Sequence, residues 1–187
     1  MNTLTRYFAL LAISVPTWAA QYSLDLTPQN TKVEWTLGGA LHDVHGTFAL
    51  KSGKLMFDAD TGAASGQIVV DAASGQSGNG SRDKRMHQHV LESAKYPEIV
   101  FVPKHVEGKA SVPGESTVKL QGTFTIHGAP HEVTMEVQQK STADKMTATA
   151  KFEVPYVEWG MKDPGNFLLK VDKKVQLVIR TEAALGR

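Results

Sequence analysis

Lys119-Leu-Gln-Gly-Thr-Phe-Thr-Ile126 alternates two classes of side chain, with Leu120, Gly122, Phe124 and Ile126 on one parity and polar residues on the other. The segment His127-Gly-Ala-Pro130 follows, and then Glu132-Val-Thr-Met-Glu-Val-Gln138 repeats the alternation through Val133, Met135 and Val137. A period of two places every second Cβ on the same side of an extended chain, so each run predicts a strand with one buried face. The glycine and proline between them are turn chemistry and predict antiparallel neighbours.

The pattern extends in both directions. Met146, Ala148, Ala150, Phe152 and Val154 face away from Thr147, Thr149, Lys151 and Glu153, and Val175, Leu177 and Ile179 share one parity near the C-terminus. Upstream, Val33, Trp35 and Leu37 alternate with Lys32, Glu34 and Thr36. Weaker strands are predicted at 44–51, 54–59, 66–72 and 97–105, the last stopping near Pro103, which has no ladder donor. Turns are expected at Lys51-Ser-Gly-Lys54, Asp60-Thr-Gly62 and Thr142-Ala-Asp144. Strands in such succession predict an all-β meander closed into a barrel, which leaves no open edge.

One stretch departs from the period. Ser74–Ser81 reads as a Gly/Ser-rich loop, and Arg82–Ser93 switches to helical spacing through Met86, Val90 and Leu91. Ser81 is the expected N-cap, with Asp83 in the first turn.

The 187 residues, 41% of them hydrophobic, suit one domain with a real core. The chain has no cysteine, which excludes disulfides, thiolate-held zinc or iron–sulfur clusters, c-type haem and a thiol nucleophile. It also excludes a cysteine-linked lipoprotein anchor. Lys and Arg total 20 against 19 Asp and Glu, without a dense basic run, so nucleic acid is not an expected partner.

Met1–Ala20 combines Arg6, an apolar run from Tyr7 to Val15, Pro16 and small residues, the pattern of a secretory signal peptide. Cleavage after Ala19 makes residues 1–19 the signal and 20–187 a single exported domain, with no stable membrane anchor. The expected location is the periplasm.

No catalytic set emerges from the residues. His42 and His45, His87 and His89, and His127 and His131 are read mainly as structural or surface groups. His42 and His45 are the pair best placed to touch a ligand headgroup if their loop rims the barrel. Asp58-Ala-Asp60-Thr-Gly62 begins like a calcium loop, but Val69 stands where the closing Glu belongs. Ser81-Arg-Asp-Lys84 matches Ser-x-x-Lys without the companion motifs of acyl enzymes. What remains is the apolar face, with large rings interleaved with small Gly122, Ala148 and Ala150. Small inward residues leave room for a ligand, and an eight-stranded barrel is compatible with either a solid core or one small ligand.

Further sequence marks have a definite order: Tyr22-Ser-Leu-Asp25, Lys32-Val-Glu-Trp35, His45-Gly-Thr-Phe48, Arg82-Asp83, Tyr96-Pro-Glu-Ile99 with Phe101, Gln121-Gly-Thr-Phe-Thr-Ile-His-Gly128 and Glu158-Trp-Gly-Met161. In that order they resemble the YceI-like family of exported lipid- and polyisoprenoid-binding proteins, over about residues 21–183. The resemblance implies an extended antiparallel, lipocalin-like β-barrel with one short helix beside it. It implies a long apolar ligand inside, such as a polyprenol or quinone tail, and no catalytic residue; the residues themselves lead us to expect no metal and no cofactor. Arg82-Asp83 and the Glu158–Met161 loop would shape the pocket mouth. The expected ligand-binding side chains are Trp35, Leu37, Phe48, Phe57 and Val70, then Met86 and Leu91 from the helix. Phe101, Phe124, Ile126 and Met135 continue the set, and Phe152, Trp159 and Phe167 complete it. Two alternatives stay open: a solid barrel that docks a membrane redox partner, and an enzyme acting on the bound lipid. A homodimer is also compatible with the sequence.

Overall fold

Nine strands form in the computed structural model, which describes residues 21–165 and 170–187. The signal peptide expected at Met1–Ala20 lies outside the described residues. In chain order the strands are β1 (Gln21–Leu26), β2 (Thr31–Gly39), β3 (Val44–Asp58), β4 (Ala64–Gln76), β5 (Glu98–Glu107), β6 (Gly114–Ile126), β7 (Ala129–Ser141), β8 (Lys145–Val154) and β9 (Val171–Gly186). From β2 onward each strand pairs antiparallel with the next, and β9 returns to β2, so eight strands close a ring.

β1 shares a place in the wall with β2. The first part of β3 pairs with β2 (Val33 opposite Phe48), whereas its last part pairs with β1 (Leu24 opposite Leu55). Between the two, Asn30 pins a turn by accepting from the Thr27 amide at 2.8 Å. β1 went unread in the sequence because six residues are too short for the alternation to stand out.

Three expected boundaries are corrected. Lys51–Lys54 is not a turn: β3 runs straight through it. There β3 changes partner from β2 to β1, and its register against β4 slips between Leu50 and Ser52, so Lys51 is the extra residue of a bulge. Nor does Pro103 end its strand. It sits where the β5–β6 register shifts between Pro103 and His105, a position that tolerates a missing donor. Finally, β4 extends to Gln76, so the Gly/Ser loop shrinks to Ser77–Asn79.

The turn after β6 is two residues long, His127 at φ 52° and Gly128 at φ 76°, and Ala129 and Pro130 already belong to β7. Positive φ at both central positions suits a hairpin whose twist matches its strands. The turn at 58–63 is held by Asp58 Oδ1, which accepts from the amides of Asp60 and Thr61 at 2.9 and 2.8 Å. Those bonds lower the Asp58 pKa, and this internal role accounts for the acidic motif without calcium.

The helix α1 (Gly80–Arg85) continues as a π-helical turn over Met86–Val90. Asn79, not Ser81, caps it: its Oδ1 accepts from the Arg82 amide at 3.0 Å. Asp83 does sit in the first turn, where it accepts from the Ser77 amide at 2.9 Å and from the Ser77 hydroxyl. His87 Nε2 lies 2.8 Å from the Gly75 carbonyl and ties the helix to the end of β4.

Candidate ligand-binding site

The inward parity does not fill the barrel. A cavity of about 530 Å³ runs through it, lined almost throughout by aliphatic and aromatic side chains. That volume lies within the range of small-molecule sites. On β8 the lining residues include Met146, Ala148, Ala150 and Val154, and on β9 Val175, Leu177, Ile179 and Thr181. These are the same alternating sets that define the strands.

The meander places the β2–β3, β4–β5, β6–β7 and β8–β9 connections at one end of the barrel. The other end carries the β3–β4, β5–β6 and β7–β8 turns with the start of β1 and the end of β9. Ser81 and Arg85 of α1 are the exposed lining residues, so the mouth is at the helix end. Beside them Arg82 is half-buried, its Nε donating to Ser77 Oγ at 2.7 Å and Nη2 to the Ser77 carbonyl at 2.9 Å. Met161 and Pro164 from the β8–β9 connection line the same end.

At the far end the lining turns polar at Gln139 and Thr181. Gln139 Nε2 donates to the Ser111 carbonyl at 2.8 Å and to Ser116 Oγ at 2.7 Å, which ties the β5–β6 loop to β7. Thr31 donates to Thr181 Oγ1 at 2.9 Å, and Thr181 donates to the Asn30 carbonyl at 3.2 Å. Those hydroxyls are therefore committed to the wall.

Eleven of the fourteen expected side chains lie on the cavity. Trp35, Leu37, Phe48, Phe57 and Val70 come from β2, β3 and β4, and Met86 and Leu91 from the helical segment. Phe101, Phe124, Ile126 and Met135 come from β5, β6 and β7. Phe152 is buried but stands behind the lining, edge-on to Phe124 with ring centroids 5.1 Å apart. Trp159 also lies off the cavity, stacked on His131 at 3.9 Å and 4°. Phe167 lies outside the described residues.

Other sequence readings of the site change. His45 faces outward and bonds Thr36 Oγ1 at 2.9 Å, and neither it nor exposed His42 lines the cavity. Strand parity turns His45 away from the interior, and the mouth's polar groups come from α1 instead. Gly122 leaves no room for a ligand, because the Phe101 ring already occupies the space beside it. The residues that sequence reading missed, such as Leu24 and Leu26 of β1 and Tyr156 after β8, are inward residues in segments with weak or no alternation. Tyr156 donates to the Asp172 carbonyl at 2.9 Å, and burial, with the charges of Asp163 and Asp172, pushes its pKa up to about 12.

Comparison with known proteins follows the same architecture. The YceI-like domain family matches residues 22–183. A UPF0312 protein of Pseudomonas putida strain W619 is 32% identical over 143 residues, 71% of this chain and 72% of that protein. Among solved structures, BcnA of Burkholderia cenocepacia superposes with a TM-score of 0.66 at 18% identity, covering 84% of this chain and 96% of that one. A polyisoprenoid binding domain from Saccharophagus degradans gives a TM-score of 0.65 at 18% identity, covering 87% and 98%. The barrel, its helix beside the mouth and the family match over nearly all of the described residues lead to one assignment: the chain belongs to the YceI-like family.

Proposed function

We propose that this protein is a periplasmic carrier or sequestering protein for a long-chain isoprenoid-type lipid held in the barrel. The observation that carries the reading is the 530 Å³ apolar cavity opening beside α1. The solved relative described as a polyisoprenoid binding domain supports the choice of ligand class. The leader pattern at Met1–Ala20 supports the location.

The energetics are those of a tail leaving water. Each buried CH₂ contributes about 0.8 kcal/mol, so an isoprene unit contributes roughly 3–4 kcal/mol. Three such units outweigh several kcal/mol of ordering and reach the roughly 8 kcal/mol of a micromolar complex. Fourteen expected contact residues enter this reading through the eleven that line the cavity. A hollow interior counts against the solid-barrel alternative. The committed hydroxyl and high pKa of Tyr156 count against a catalytic role for the one phenol on the cavity among the described residues.

Mass spectrometry of organic extracts tests this, using protein purified from the periplasm without detergent. The expected result is a stoichiometric isoprenoid or quinone. An empty extract, still empty after incubation with isoprenoid lipids, overturns the proposal.

A further inference from the structure

Leu41 is 81% exposed, about twice the exposure of Met56 (41%) and Val102 (39%), the other exposed large apolar side chains among the described residues. Isolated surface leucines are ordinary, and only position gives this one meaning. It stands at the tip of the β2–β3 connection, three residues before Val44, which lines the cavity. On one side the Ala40 amide donates to the Lys170 carbonyl at 3.1 Å. On the other, Thr47 pairs with Gln76, the last residue before the approach to α1. The tip is therefore set into the rim of the mouth, between the helix and the start of β9.

The charges along this arc favour an anionic surface. Lys84 and Arg85 are exposed on α1, Arg82 is half-buried beside them, and Lys170 is exposed on the opposite flank. The anions of the arc are Asp43, Asp83, Asp163 and Asp172. Asp83 is engaged by Ser77 and Asp163 by the Gly165 amide, which leaves Asp43 and Asp172 exposed against Lys84, Arg85 and Lys170. A protruding apolar side chain flanked by cations is the arrangement by which a protein seats itself in the headgroup layer of a bilayer.

We propose that Leu41 and the α1 cations dock the barrel mouth on an anionic lipid bilayer. Cargo then passes between membrane and cavity without its tail crossing open water. The proposal rests on the carrier reading for its cargo, but the docking itself is measurable without any ligand.

The chain has no cysteine, so Leu41→Cys and Met56→Cys each accept one environment-sensitive dye at a unique site. Vesicles of phosphatidylcholine, with and without phosphatidylglycerol, are the probe surface. The dye at position 41 is expected to shift to the blue on the anionic vesicles, and the dye at position 56, at the opposite end of the barrel, to stay unchanged. Lys84→Gln is expected to weaken the vesicle association about fivefold. No shift at 41, or equal shifts at both sites, overturns the docking.

A second arm uses a dansyl-labelled farnesol. Leu41→Asp is expected to slow its uptake from vesicles several-fold and to leave its binding from aqueous dispersion unchanged. An unchanged uptake rate overturns the proposal. If wild-type protein binds no dispersed probe at all, the carrier reading fails, while the dye shift still decides the docking.

Discussion

Across the β5–β6 pair, the ring of Phe101 closes over Gly122, with its Cζ 2.6 Å from where a Cβ on that glycine would stand. The carbonyl of Val102 crowds the same point. A residue that reads as a gap in the barrel lining is in fact a seat for an aromatic ring. The space that stays open faces Ala148 and Ala150 on the β8 wall.

Gly122→Ala is expected to destabilise the fold by about 1–3 kcal/mol, because a backbone carbonyl and a packed ring must both move to admit a methyl group. Urea unfolding of the variant beside wild type measures this. Equal midpoints would mean that the β5–β6 pair yields without cost.

Ala150→Phe places a ring where the cavity is open, between Val137 and Ile179 on the neighbouring strands. The far-ultraviolet circular dichroism is expected to stay that of a β-barrel, while affinity for dansyl-farnesol falls by about tenfold or more. Full affinity in a folded variant would place the tail elsewhere.

His131 supplies a pH dependence. Its Nε2 is sealed from water without a partner, its ring lies flat on Trp159, and burial lowers its pKa below the ordinary 6.5. As the pH falls, the unfolded chain therefore takes up this proton before the folded chain does. The contribution to stability is neutral well above pH 6.5, turns unfavourable below it and levels off once the folded-state ring is also charged. His131→Phe keeps a ring against Trp159 and removes that slope. Urea midpoints measured from about pH 7 down to about pH 5 are expected to fall more steeply for wild type than for the variant. Parallel slopes would refute the assignment.

Much of the architecture was legible because alternation is local. Lys119–Ile126 and Glu132–Gln138 lie within β6 and β7 and pair as neighbours, with Leu120 opposite Met135. The failures occur where a distant partner overrides a local signal. Ser52-Gly53 has turn chemistry, yet β1 and β4 hold it extended in the wall. Pro103 reads as a stop but falls on a bulge set by β6. Asn79 displaces Ser81 as the helix cap, since both residue types cap well and the end of β4 decides where the helix starts. In the site, strand parity identified most of the inward side chains. It carried no information about Arg85 at the mouth, or about Trp159, which lies against His131 rather than on the cavity.

By itself, then, the sequence determined that the chain is all-β, which parity of each long strand turns inward, and that the inward surface is apolar. Those properties follow from side-chain chemistry at a spacing of two. Whether the inward face meets itself or encloses a void was decided by tertiary structure alone. Strand stagger and ring closure set the diameter, and both depend on pairings between residues far apart in the chain, such as Thr31 with Thr181. The same closure brings Arg82 and Arg85 of the β4–β5 connection to the end of the barrel where Met161 and Pro164 of the β8–β9 connection also line the cavity, and so gives the barrel its mouth.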